Sequence, residues 1–205
     1  MTEVLPKLLT FKEFILWLPE NTSQRYELHD GIIVEMSQPS GKNEKVTGFL
    51  AGEITVEYKH LQLPYFIPKT ALVKPPRKSS GYSPDVVLIN DANLQNEELW
   101  EKESTVTQSK SIPLIIEVVS KNWEDDYYTK LGNYEAMKIS EYWIVDYAAL
   151  GARKFIGNPK QPTISIYNLV DGEYQVAQFR NLECIISHTF PDLKLTANQI
   201  FNGVL

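Results

Sequence analysis

The spacing of hydrophobic positions changes several times along the chain, and each change marks an element. In TFKEFILWL, residues 10–18, apolar side chains recur at helical spacing until Pro19. Thr10 suits an N-cap and Glu13 completes a capping box, so a short amphipathic helix is expected there. YELHDGIIVEMSQ reads as two short strands around His29-Asp30-Gly31, because Asp-Gly favours a tight hairpin. Beyond the break at Ser40-Gly41, the residues Val46, Leu50, Ile54 and Leu61 predict a helix from about Asn43 to Leu61.

Two strand-like runs follow, PYFIPKTALV and PDVVLIN, on either side of the loop KPPRKSSGYS. DANLQNEELWEKES is polar and acidic, as a surface excursion would be. SIPLIIEVVS is β-branched and apolar and suits a buried strand. DDYYTKLGNYEAMK then reads as helix and EYWIVDY as strand. From about Arg153 the chain is mostly β, with ISIYNLVDGEYQVAQF giving two strands around Asp171-Gly172. There is no internal repeat or low-complexity tract. The order predicts a mixed sheet with helices on its faces and a β-rich C-terminal part, an α/β or α+β fold.

Length and composition narrow this picture. The 205 residues fit one domain spanning 1–205. Hydrophobic residues at 43% and charged residues at 22% exclude a disordered or collagen-like chain. No apolar run approaches the ~18 residues that span a membrane. Glu3, Lys7, Lys12 and Glu13 interrupt the opening MTEVLPKLLTFKEF, which argues against a signal peptide. A cytoplasmic protein without a membrane partner is expected. Cys184, the single cysteine, excludes an internal disulfide and a cysteine zinc site; within LECIIS it is expected to be a buried, inert thiol.

Charge raises an objection to nucleic-acid binding. Twenty Lys+Arg stand against 26 Asp+Glu, for a net charge of −6, whereas nucleic-acid binders usually carry a basic footprint. Contact with DNA would need a local patch. Lys74, Arg77 and Lys78 in KPPRKSSGYS make the best one in the sequence.

The chemistry starts from two misplaced carboxylates. Asp85 opens PDVVLIN, and Glu117 interrupts PLIIEVVS. Burying an unpaired charge is very costly, so Glu117 is either paired or at an edge, or else kept for a metal ion. Two such strands side by side would converge oxygens on one point, a site suited to magnesium or manganese rather than zinc. His29, His60 and His188 are scattered and read as surface or structural. On a helix, Tyr127, Lys130, Leu131, Tyr134 and Met137 share about one third of the circumference. Lys130 thus falls on the face that packs against the sheet, where Asp126, four residues earlier, can pair with it. The bland alternative is a lysine snorkelling to water. Glu53 and Glu57 fit a partly exposed helix better than a ligand set. Trp123, Tyr127 and Tyr128 could stack on bases but suit packing better, and Trp143 reads as core.

In their order and spacing, YELHDGIIVEM, SPDVVLI, PLIIEVVS, the D-x-x-x-K of DYYTK, and EYWIVD resemble the Uma-type restriction-endonuclease family. This family is common in cyanobacteria and belongs to the PD-(D/E)XK nuclease superfamily. The resemblance spans roughly residues 10–180. It implies a restriction-endonuclease-like core and Mg²⁺- or Mn²⁺-dependent hydrolysis of DNA phosphodiester bonds. Asp85 matches the motif's Asp and Glu117 its (D/E). The superfamily lysine normally lies two residues beyond that acid, where this chain has Val119; in the Uma-type pattern the following helix supplies it, and Lys130 matches. Glu27 in YEL matches an acid recurrent in the first strand. A histidine is frequent early in the second helix, where this chain has Asn43.

The implied site has Asp85, Glu117 and the Val118 carbonyl holding Mg²⁺. Lys130 orients or activates water and offsets transition-state charge, and Glu27 binds a second metal or supports the first through water. The alternatives are a catalytically inactive, nucleic-acid-binding or regulatory protein of the same fold, and an interaction module that dimerises through its β-rich tail. A homodimer is expected, because it would let two sites address two strands.

Overall fold

The computed structural model describes residues 8–19 and 24–205. Glu3 and Lys7, two of the charges that argue against a signal peptide, lie outside the described residues. Helix α1, Phe11–Trp17, opens with the expected capping box: the Glu13 N–H donates to Thr10 Oγ1, and the Thr10 N–H donates to the Glu13 carboxylate. Strands β1, Tyr26–His29, and β2, Ile32–Glu35, form a hairpin turned by Asp30 and Gly31. Both turn residues have positive φ, 47° and 89°, as a two-residue turn matched to strand twist requires.

Helix α2 runs Gly41–His60 and starts earlier than its hydrophobic period suggested. Ser40 does not merely break the chain. Its hydroxyl accepts the Asn43 N–H and caps the helix.

PYFIPKTALV is not one strand. Pro68 offers no ladder N–H, and the run divides into β3, Tyr65–Phe66, and β4, Leu72–Val73, in different sheets. Strand β5, Val86–Asn90, leads into the acidic excursion, which holds a 3₁₀ turn at Asp91–Asn96 and the short helix α3, Trp100–Glu103, and is followed by strand β6, Thr105–Val106. Glu97 pins this excursion: buried, it accepts the Thr107 N–H and hydroxyl at 2.8 Å each and the Gln108 N–H at 2.9 Å.

Strand β7, Leu114–Val118, is followed by a π-helical turn, Asp125–Lys130, that continues directly into α4, Leu131–Met137. Strand β8, Glu141–Asp146, helix α5, Arg153–Ile156, strands β9, Thr163–Val170, and β10, Glu173–Phe179, and helix α6, Ala197–Asn202, complete the chain. The tail is therefore less purely β than its sequence suggested.

The main sheet has the order β10-β9-β8-β7-β5-β3. Its neighbours are antiparallel except β7 and β8, which are parallel. Leu114, Ile116 and Val118 of β7 pack with α2 and α6 on one face. Ile115 and Val119 pack with Tyr127, Tyr134 and Met137 on the other. Trp143 is core, as expected.

Cys184 corrects an expectation: it is exposed, as are Leu182 and Ile186. LECIIS forms no strand of the sheet but an outer segment that turns only Ile185 and Ser187 inward. Among the described residues, no helix is long and apolar enough to cross a membrane.

Candidate active site

Strand alternation and register build the site. β5 pairs with β7 through Val86 and Ile116. One residue further, the same register sets Asp85 opposite Glu117. Because side chains alternate along a strand, both fall with Val87, Ile115 and Val119 on the face covered by the π-helical turn. Asp85 Oδ2 accepts the Val118 N–H at 2.9 Å, and its Oδ1 lies 3.6 Å from Arg25 Nη2. Glu117 Oε1 accepts the Tyr134 hydroxyl at 3.3 Å and lies 3.0 Å from Lys130 Nζ.

Lys130 does not snorkel. It is 2% exposed, and its ammonium also lies 3.2 Å from Glu27 Oε1 and 3.5 Å from Asp126 Oδ1. π-helical turns are rare and frequent at functional sites; this one buries Asp126, Tyr127 and Lys130 together. Glu27 Oε1 accepts the Ser83 N–H at 2.9 Å, while His29 Nε2 lies 2.7 Å from Glu27 Oε2. From the first turn of α2, Asn43 Nδ2 donates to the Val118 carbonyl at 2.9 Å.

Three carboxylates compete here for one ammonium. Burial opposes the ionisation of Glu27, but Lys130, His29 and the Ser83 N–H outweigh it and lower its pKa to about 2. Glu117 has no comparable second donor. Burial, reinforced by the charges of Asp126, Asp85 and Glu27, raises its pKa well above the usual carboxylate range despite Lys130. Burial likewise pushes Asp126 up to about 7, with Asp85 and Glu27 adding like charge. Asp85 is raised chiefly by burial, against the Val118 N–H, Lys130 and Arg25. Burial disfavours the Lys130 ammonium, but Glu117, Glu27 and Asp126 outweigh that and lift its pKa well above the usual value.

Asp85, Glu117, Val118, Asn43, Asp126 and Lys130 all line one cavity of about 390 Å³. Among the described residues, no three His, Cys, Asp or Glu side chains form a ready-made metal cage. Magnesium does not need one, because it commonly binds through one or two carboxylates and keeps water or phosphate as its other ligands. Four carboxyl groups (Glu27, Asp85, Glu117 and Asp126) gather around Lys130 and Arg25, an excess of acidic groups that a divalent ion would offset. A carbonyl oxygen has two lone pairs, so Val118 can bond Asn43 and still offer one. The donor set fits a hard divalent cation.

The model of the Uma2 family, described as "Putative restriction endonuclease", matches residues 11–198. The chain belongs to the Uma2 family. The fold is also that of a solved structure described as a "putative nuclease" from Anabaena variabilis ATCC 29413. The two share a TM-score of 0.72 at 18% identity, with 96% of this chain and 99% of that one covered. Among curated proteins, none matches the chain.

The Uma2 chain thus brings Asp85, Glu117, Lys130 and Glu27 together. The first three line the cavity, whereas Glu27 sits behind Lys130, engaged by His29 and Ser83. Sequence reasoning missed His29, although the period of two in YELH puts it on the same face as Glu27. It also missed Arg25, which carried no pattern signal.

Of the loop KPPRKSSGYS only Ser83 lines the cavity, and Lys74, Arg77 and Lys78 do not; Arg25, Lys121 and Lys130 supply its cations. Hydrogen bonds from Gly31 N–H to the Ser79 carbonyl and from Asp30 N–H to Ser80 Oγ tie that loop to the hairpin instead. Tyr127 packs against Phe155, rings stacked at 4.5 Å, while Tyr128 is 48% exposed. Glu53 and Glu57 lie on α2, away from the cavity lining.

Proposed function

We propose that this Uma2 protein is a Mg²⁺- or Mn²⁺-dependent endonuclease that hydrolyses DNA phosphodiester bonds. The observation that carries this reading is the convergence of Asp85 and Glu117 on one cavity, with Lys130 Nζ 3.0 Å from Glu117. Asp85, Glu117 and the Val118 carbonyl would hold the ion. When bound, it polarises a phosphoryl oxygen and lowers the pKa of a water.

Lys130 supplies fixed positive charge. Its pKa is raised, so it stays an ammonium, a hydrogen-bond donor that cannot take the water's proton. Its role is to orient the attacking water and to offset charge growing on the phosphoryl oxygens. Glu27 and Asp126 hold that ammonium in place, and Arg25 and Lys121 give the cavity a local positive rim within an acidic chain. A homodimer would present two such cavities to two strands.

A catalytically inactive nucleic-acid-binding or regulatory protein of the same fold is the second reading, favoured by Asn43 standing where a histidine is frequent in the Uma-type pattern. Metal-dependent thermal stabilisation separates the two. A ligand at 100 times its dissociation constant adds about 2.7 kcal/mol to stability. The nuclease reading expects that response to Mg²⁺ or Mn²⁺, together with metal-dependent cleavage of plasmid or single-stranded DNA. A flat melting temperature and intact DNA would favour the inactive reading.

A further inference from the structure

His29 has no part in the chemistry above, yet it holds the carboxylate that holds Lys130. Glu27 and His29 alternate onto the same face of β1, and the two oxygens of Glu27 have separate partners. Oε1 takes the Ser83 N–H at 2.9 Å and lies 3.2 Å from Lys130 Nζ; Oε2 lies 2.7 Å from His29 Nε2. An ionised carboxylate only accepts, so Nε2 carries the hydrogen.

The imidazole is fixed from two further sides. Its ring stands edge-on to Tyr82, with centroids 5.1 Å apart at 88°, and its Nδ1 lies 3.8 Å from Asp125 Oδ1. Without the Nε2 donor, Oε2 would lose its partner inside a side chain that is 1% exposed. The nearest cation to which it could turn is Lys130, which sits between Glu27 at 3.2 Å and Glu117 at 3.0 Å. Both oxygens of Glu27 would then draw Nζ away from Glu117 and from the cavity.

We propose that His29 is a positioning residue: by occupying Glu27 Oε2 it keeps the Lys130 ammonium centred on Glu117. The activity readout of this proposal rests on the nuclease reading; its spectroscopic readout does not.

Two substitutions separate hydrogen bonding from packing. His29→Phe keeps a ring against Tyr82 and removes the donor. His29→Gln keeps a donor and removes the ring. The expected result is a loss of about 10–100-fold in kcat for His29→Phe, with KM for DNA and the metal midpoint little changed, and rescue to within about threefold by His29→Gln. The reverse order, with His29→Phe active and His29→Gln impaired, would show a packing role and overturn the proposal. So would equal losses in both, accompanied by a lower melting temperature.

If wild-type protein cleaves nothing, the nuclease reading fails and the spectrum decides the positioning role. A buried, paired ammonium gives an exchange-protected ¹H–¹⁵N signal, assignable to Lys130 by its loss in Lys130→Arg. That signal should persist in wild type and His29→Gln and shift or vanish in His29→Phe. An unchanged signal in His29→Phe would overturn the proposal.

Discussion

Asn43 reaches across 75 residues of sequence to donate its side-chain amide to the Val118 carbonyl, joining the first turn of α2 to the end of β7. The contact is buried, so its loss leaves a desolvated acceptor. Asn43→Ala should therefore cost about 1–3 kcal/mol in chemical denaturation. It should also weaken the response to Mg²⁺, because the carbonyl is no longer held toward the cavity. Asn43→His restores a donor at the position where the Uma-type pattern often has histidine, and should recover most of both. Full stability and full metal response in Asn43→Ala would mean that the contact orients nothing.

Asp85→Asn and Glu117→Gln test whether the two acids are kept for function. Both carboxyls have raised pKa values, so near neutral pH the folded chain bears a cost for ionising them. Each amide removes a like charge, and in Asp85→Asn the amide oxygen can still accept the Val118 N–H. The metal-free variants should melt at or above the wild-type temperature while losing all stabilisation by Mg²⁺ or Mn²⁺. A drop of several degrees in either variant would make that residue structural.

Asp126 sets a pH dependence. Its pKa rises from an unfolded value of 3.8 to about 7 on folding, so the folded state holds the proton more tightly. The stability this contributes is complete below about pH 4 and lost as pH rises toward 7. Glu27 has the opposite sign: lowered from 4.5 to about 2, it contributes stability above about pH 4.5 that is lost as pH falls toward 2. Metal-free protein should thus be most stable in mild acid. Asp126→Asn should flatten the fall between pH 4 and 7 in a series of thermal melts. An unchanged slope in that variant would assign the dependence to another group.

The legible parts of this site were those written in local pattern. Continuous apolar runs marked Asp85 and Glu117 as acids out of place in buried strands, and helical spacing set Lys130 over them. Partners fixed by tertiary packing left no such mark. His29 gains its role only because the hairpin folds over Ser83 and the π-helical turn, and Arg25 only because it meets Asp85. The basic loop misled for the same reason: its charges are near Asp85 in sequence, but the Ser79 carbonyl and the Ser80 hydroxyl tie it to Gly31 and Asp30. Glu97 looked like one acid among many in a surface segment, yet it accepts three hydrogen bonds from residues ten and eleven positions away. In PYFIPKTALV the apolar pattern outweighed Pro68, although the missing N–H was visible.

Lys130 carries the sharpest test, because its structural and catalytic duties separate with pH. Lys130→Met leaves Glu27, Glu117 and Asp126 without their shared ammonium in a buried site. Removing one partner of a buried ion pair typically costs about 3–5 kcal/mol. That cost should be larger near pH 8, where Glu27 and Asp126 are both ionised. It should shrink near pH 5, where Asp126, with its pKa of about 7, takes up a proton. Urea denaturation at the two pH values reads this difference. A cost that does not change between them would mean that the carboxylates do not depend on Lys130.

Turnover gives the second half of the test. At a temperature where the variant remains folded, loss of one preorganised donor should lower the cleavage rate on the order of 10²–10³-fold, with much smaller changes in DNA or metal affinity. Lys130→Arg keeps the charge and should recover stability better than rate, because a planar guanidinium cannot place its donors where a compact ammonium sits between three carboxylates. Cleavage at the wild-type rate by folded Lys130→Met would sink the role of Lys130 in the reaction while leaving its ion pairs intact as architecture.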